Sequence, residues 1–203
     1  AGNDTNQFTS DSFSSLATVV VSDTTLNGAN LDSVIQRANT LTGDTSVVAT
    51  ITAADEIQGT EARFTTLLTH EGNNQISITD QNLNVNSGTI SVDNANLLEA
   101  TTSGVITGSI ATTETVDELQ TLTGTGNAYT IVIAGGDATG STASEFTSIN
   151  GKTTVAVDAS AVTGLASDNI SNIKTLLTAG NDTNQFTSDS FSSLATVVVS
   201  DTT

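Results

Sequence analysis

The first 25 residues, AGNDTNQFTSDSFSSLATVVVSDTT, return unchanged as residues 179–203. Chance does not give 25 identical positions at an offset of 178. The chain is therefore one period, residues 1–178, followed by the start of the next, residues 179–203. Self-similarity constrains a fold more tightly than composition does. A unit that recurs must meet the same neighbours each time, which favours stacking of units over one closed core. Residues 1–203 read as a single segment of a tandem array.

A shorter rhythm runs inside the period, an octamer of the form Thr/Ser-x-x-x-apolar-x-x-apolar. It is clearest from Thr9 (Phe13, Leu16), Thr60 (Phe64, Leu67), Thr115 (Leu119, Leu122), Thr142 (Phe146, Ile149) and Thr187 (Phe191, Leu194). Degenerate copies start at Asn27 (Leu31, Val34), Ser91 (Ala95, Leu98) and Ala166 (Ile170, Ile173). The physics behind this pattern is a short helix. A hydroxyl at the N-cap accepts from the free N–H groups of the first turn. Glu118 and Glu145 stand three residues after Thr115 and Thr142, the spacing of a capping box. The two apolar positions share one helix face. Gly43, Gly72, Gly104, Gly124, Gly151 and Gly180 mark the stops.

After most stops comes a short β-branched run of strand length: residues 17–23, 46–52, 75–80, 105–111, 129–134 and 153–158. Residues 82–92 read either as a second strand within one unit or, over 81–90, as a variable loop. Seven octamers fill each period of 178 residues, about 25 residues per unit. A strand, a turn and a short helix in that length is one turn of an α/β solenoid with parallel strands, right-handed as such crossovers are. A parallel β-helix, with strand in place of helix at the octamers, is the alternative. High Thr content favours it, while Glu and Leu at the octamers favour helix.

Composition narrows the chemistry. With 22 acids against four bases, Arg37, Arg63, Lys152 and Lys174, the net charge is −18. That excludes nucleic acid and anionic membrane surfaces as partners, and leaves hard cations, whose ligands are oxygens. Cys is absent, so there is no thiol chemistry and no disulfide framework. Met is absent too, as expected of an internal or processed piece, and no apolar run reaches membrane-spanning length.

Candidate sites are few. His70, the sole His, follows a predicted helix end without an acid partner in view, so a catalytic triad finds no support and no enzymatic activity is expected. Asp23, Asp80, Asp137 and Asp158 end strands in different units. If the units stack in register, these four could share Ca2+; solvated caps and Asx turns are the alternative. Residues 134–140, AGGDATG, carry a Gly–Asp turn like those of calcium-binding nonapeptide repeats, but only once. The Thr pairs at 50–52, 101–102 and 112–115 lack the constant spacing of an ice-binding array. Phe and Tyr129 are the only aromatics, too few for the platforms of polysaccharide-cleaving solenoids.

The stretches TVAVDASAVTGLASDNISNIKTLLTAG (154–180), TISVDNANLLEA (89–100) and VDELQTLTGTGNAYTIVIAG (116–135) resemble the repeat regions of giant bacterial cell-surface proteins. Both marine cyanobacterial surface and motility-associated proteins and long adhesin stalks have this texture. The resemblance implies an extracellular, cell-surface location, a very long parent chain and calcium. It carries no catalytic residue. The expected function is a structural repeat of a stalk, surface layer or filament, whose partners are copies of itself. An adhesin array binding surface glycans through loops at 81–90 and 134–141 is the second expectation.

Overall fold

The structure, a computed structural model, describes residues 18–135 and 140–200. It is mixed α/β, with parallel strands in two sheets and short helices between them. The strands are β1 (Val19–Val21), β2 (Leu26–Asn27), β3 (Ala49–Ile51), β4 (Glu56–Thr60), β5 (Ile76–Ser77), β6 (Asn82–Ser87), β7 (Ile106–Ser109) and β8 (Ala128–Thr130). The helices are α1 (Gly28–Thr45), α2 (Glu61–Gly72), α3 (Val92–Glu99), α4 (Val116–Gln120), α5 (Ala143–Asn150) and α6 (Ile170–Gly180). One sheet runs β1-β3-β5 and the other β2-β4-β6-β7-β8. Every pairing is parallel and each strand neighbours its counterpart one unit further along the chain.

Register sorts side chains into columns. Leu26 pairs with Ile57, Ile57 with Leu83 and Leu83 with Ile106, and all four are buried. One residue on, Asn27, Gln58, Asn84 and Thr107 form a polar column on the other face, as the two-residue period of a strand requires. Where the inner column reaches its fifth member, Asn127 stands instead of an aliphatic. It is 3% exposed, and its Oδ1 accepts from the Ile106 N–H at 2.8 Å while its amide donates to Glu99 at 2.6 Å. A polar side chain is tolerated there because both ends of it are bonded.

The octamers form helices as expected at Thr60, Ser91, Thr115 and Thr142. Each of these hydroxyls accepts from the N–H three residues on, and Thr115 and Thr142 complete the capping box. Phe64, Leu67, Leu98, Leu119, Leu122, Phe146 and Ile149 are buried, as are Leu31 and Val34 after Asn27. The octamer face is thus helical at these positions except Leu122, which follows the end of α4, and the strand alternative does not describe it. Phe13 and Leu16 lie outside the described residues.

Five expectations need correction. The degenerate copy at 166–173 is out of phase. The helix starts after Asn169, whose side chain caps the Asn172 N–H at 2.9 Å. Ile173 and Leu176 are then buried, and Ile170 is 53% exposed. Residues 187–194 form turns rather than a helix: Phe191 has φ 60°, unfavourable for an aromatic, and packs half-buried against Phe186 and Phe146. Residues 153–158 make only isolated bridges, Asp158 to Val132 and Val157 to Phe186, instead of a strand. Residues 82–87 are an interior strand between β4 and β7, so the variable-loop reading of 81–90 fails there. Helix α1 also runs past Gly43 and ends with Ser46 in the left-handed conformation. Strands β2 and β4 form outside the β-branched runs.

Candidate functional site

Three of the four predicted calcium ligands, Asp23, Asp80 and Asp158, are described, and no group of three or more acids placed to hold a metal ion includes them. Asp137 lies outside the described residues. Val21 pairs with Ile51 and Thr50 with Ser77; continuing that register places Ala53 between Asp23 and Asp80, about two strand spacings, or ~10 Å, apart. Asp80 accepts from the Thr79 hydroxyl and the Gln81 amide, both at 3.0 Å. Asp158 accepts from the Ser160 N–H at 2.9 Å, and its bonds to Ser160 hold its carboxyl below the usual range. Asp158 thus makes an Asx-type turn, while Asp80 is held by its neighbours' side chains. Among the described residues no group of three or more His, Cys, Asp or Glu side chains is placed to hold a metal ion. His70 sits in the last turn of α2, where Nδ1 meets Gln75, and Gln75 bonds Asn39 of α1. That chain ties two helices and presents no nucleophile.

What the acids do instead is cap the helices of neighbouring units. Glu61, the first residue of α2, accepts from the Ser91 N–H and hydroxyl, both at 2.9 Å, and from the Asn94 amide at 2.7 Å, at the start of α3. Glu114 approaches the same helix from the following unit and accepts from the Val92 N–H at 3.2 Å. Asp168 reaches back to the Ser144 N–H of α5 at 3.0 Å while accepting from the Asn169 N–H and the Asn172 amide of its own unit. Helix N-termini attract negative charge, and here that charge comes from the preceding unit (Glu61) or the following one (Glu114, Asp168). Burial alone would raise the Glu61 and Asp168 carboxyls. The bonds from Asn94 and Ser91, and from Asn172, Ser144 and Asn169, outweigh it and hold both below the ordinary range.

The hydroxyls form a second set of ties. Three residues after α3 and again after α5, Thr102 and Thr153 donate to carbonyls one unit back, Gln81 at 2.7 Å and Tyr129 at 2.6 Å. The same oxygens accept from the N–H two residues on, Gly104 and Val155. The next residues, Ser103 and Thr154, bond the carbonyls two residues earlier, Thr79 and Asn127. Thr102 and Thr153 are buried. They are structural latches, withdrawn from any surface array. Gly104 shows how close the units come: a Cβ there would lie 2.4 Å from the Gln81 carbonyl oxygen.

None of these capping and latching residues stands out in the sequence by itself. Two signals were present: a Thr-Ser or Thr-Thr pair at a fixed distance after a helix, and an acid just before or inside a first turn. Basic residues contribute one inter-unit ion pair among the described residues, Arg63 Nε to Asp32 at 3.1 Å, half-exposed and so of small effect. Among the described residues no helix is long and apolar enough to cross a membrane. The ensemble defines a class only by architecture: parallel strands and short helices tied unit to unit by acids, amides and hydroxyls. No protein-family model, no curated protein and no solved structure matches the chain.

Proposed function

We propose that the chain is a structural repeat: one period of a right-handed α/β solenoid, about 25 residues per coil, in an extracellular stalk, surface layer or filament. Its partners are further copies of the same sequence, and it is not an enzyme. The observation that carries this reading is the 25-residue identity between the two ends of the period, joined to a strand order that never departs from chain order. A chain whose strands pair only with the next unit can continue without limit. The strand-end aspartates enter this reading as turn caps, and the remaining acids as inter-unit caps and a self-repelling, soluble surface.

Scattering from chains of one, two and three periods tests it. Seven parallel strands at about 4.8 Å give a long dimension that grows by roughly 34 Å per added period. Growth of the radius of gyration as for a compacting globule would end the solenoid reading. Chelation should leave the melting temperature unchanged; a fall that monovalent salt does not restore would return calcium to the account.

A further inference from the structure

The repeated segment is present twice in two different surroundings, and each copy has a different side covered. In the first copy, Val19, Val20 and Val21 pair with Ala49, Thr50 and Ile51 of the following unit. In the second copy, the same residues stand at 197–199, and the pairing runs the other way. Thr196 bridges Gly164 and Val199 bridges Asp168, both in the preceding unit. Ala195 N–H donates to the Thr163 carbonyl at 3.0 Å, Asp168 N–H to the Val198 carbonyl at 3.2 Å, and Ser200 N–H to the Asp168 carbonyl at 3.0 Å. Successive residues of a strand direct their N–H and C=O to alternate edges. With Val198 and Ser200 bonded backward, Val197 and Val199 are directed to the open edge.

Burial tells the same story. Val21 is 8% exposed under its following unit, and its counterpart Val199 is 50% exposed without one.

We infer that successive periods join through this segment as a shared strand. Its backward edge takes Gly164–Asp168 of one period and its forward edge takes the Ala49–Ile51 segment of the next, in the register Val197 to Ala49, Val198 to Thr50 and Val199 to Ile51. The occupant of the exposed Val197–Val199 face is thus the same sequence continued, because an identical segment already holds that partner at the other end of this chain. The inference rests on the tandem-array reading and adds the position and register of the junction. It places the Gly164–Asp168 segment of one period beside the three-stranded sheet β1-β3-β5 of the next.

The absence of Cys makes introduced pairs unambiguous. In the chain as it stands, Val20→Cys with Thr50→Cys calibrates the cross-linking geometry. The deciding chain is extended past Thr203 by one further period. In it, Val198→Cys is combined with Cys at the second period's counterpart of Thr50. This pair should link at about the rate of the calibrating pair, and Val197→Cys in its place about tenfold more slowly, since adjacent residues of a strand point to opposite faces. Hydrogen exchange gives a readout free of cysteines: the Val199 amide should exchange quickly in the present chain and become as protected as Val21 in the extended one. A Val199 amide that stays unprotected, or a Val198 pair that fails beside a working calibration pair, overturns the junction. If the long dimension of the extended chain nevertheless grows by one period, the array stands and only the junction is lost. If it does not grow, the array itself is wrong.

Discussion

Units one to three and the later units hold together by different means. Up to β6, each unit contributes two strands and a helix, and neighbours are joined by backbone ladders in two sheets. Beyond β8 no strand of more than a bridge residue remains among the described residues, and the joints are isolated bridges at Val132–Asp158, Val157–Phe186, Gly164–Thr196 and Asp168–Val199. There the helices α4, α5 and α6 pack on one another, and Thr153, Ser190 and Asp168 supply bonds that strand residues supply earlier. A ladder needs consecutive residues in extended conformation. The later runs, interrupted by Gly and by Ala–Ser pairs, do not provide them, so side chains complete the backbone's hydrogen bonding. Stacking at one spacing can be achieved by either device, but a side-chain joint can be removed by one substitution and a ladder cannot.

The largest effect expected from breaking this contrast is Phe146→Ala. Phe146 is fully buried in α5 and meets the edge of Phe191 with ring centroids 5.8 Å apart. The loss should be about 3–5 kcal/mol. Phe64→Ala in the laddered half should cost a similar amount. Only the Phe146 variant should open residues 181–200 to protease before the rest of the chain, because Phe191 depends on it. Equal protection of that segment in both variants would contradict the division of the molecule.

Gly104→Ala comes next. The added methyl would meet the Gln81 carbonyl, its carbon and the Asn82 nitrogen, all within 2.8 Å, and backbone does not yield as a flexible side chain does. A loss of roughly 1–3 kcal/mol is expected in denaturant unfolding. Gly43→Ala, in the interior of α1 with open space around it, should instead stabilise by about 0.5–1 kcal/mol. If the two changes had the same sign, the close approach of units at Gly104 would be wrong.

Thr153→Val and Thr102→Val remove the latches and leave a carbonyl and an N–H of the backbone without their hydroxyl partner. Each should cost about 1–3 kcal/mol. The effect should be larger for Thr153, whose unit has no strand ladder, than for Thr102, which precedes β7. A measured order the other way round would mean that the ladders do not share the load.

The sequence carries the helices more plainly than the strands, for a physical reason. A helix in this chain is specified locally: a hydroxyl N-cap, an acid three residues later and two apolar residues on one face are all within eight positions. Phe64 with Leu67 and Phe146 with Ile149 are therefore found correctly. The copy at 166–173 misled because Ala166 and Asn169 are both plausible starts, and only packing decides that Ile173 and Leu176, not Ile170, face inward. The second strand of the early units is specified by neighbours. Leu26–Asn27 has two residues of strand and no run of its own, yet the Ile57–Gln58 pair holds it in place. Phe191 shows the same limit from the other side, since its octamer is a good helix sequence and the chain turns there instead. The inter-unit caps are hard to read from sequence because Glu61, Glu114 and Asp168 look like ordinary first-turn or solvated acids until a neighbouring unit's N–H groups stand beside them.

Glu61→Gln gives the smallest effect and the most specific one. Glutamine keeps the shape of the side chain and loses the charge that accepts from Ser91 and Asn94. Bonds to a carboxylate exceed those to a neutral amide, but Glu61 is partly solvated, so the cost near pH 7 should be about 1 kcal/mol. The folded-state pKa of Glu61 lies below the ordinary 4.5. A group with a depressed folded pKa contributes its stability above the unfolded value and loses it as pH falls through the folded one. The gap in melting temperature between the natural chain and Glu61→Gln should thus be constant from pH 7 to about pH 5 and close as the pH falls below the ordinary carboxylate range. Both chains also shed net negative charge over that interval, which relieves repulsion equally in each and cancels in the difference. A gap that persists at low pH would mean that Glu61 acts by shape alone, and the electrostatic tie between α2 and α3 would have to be given up.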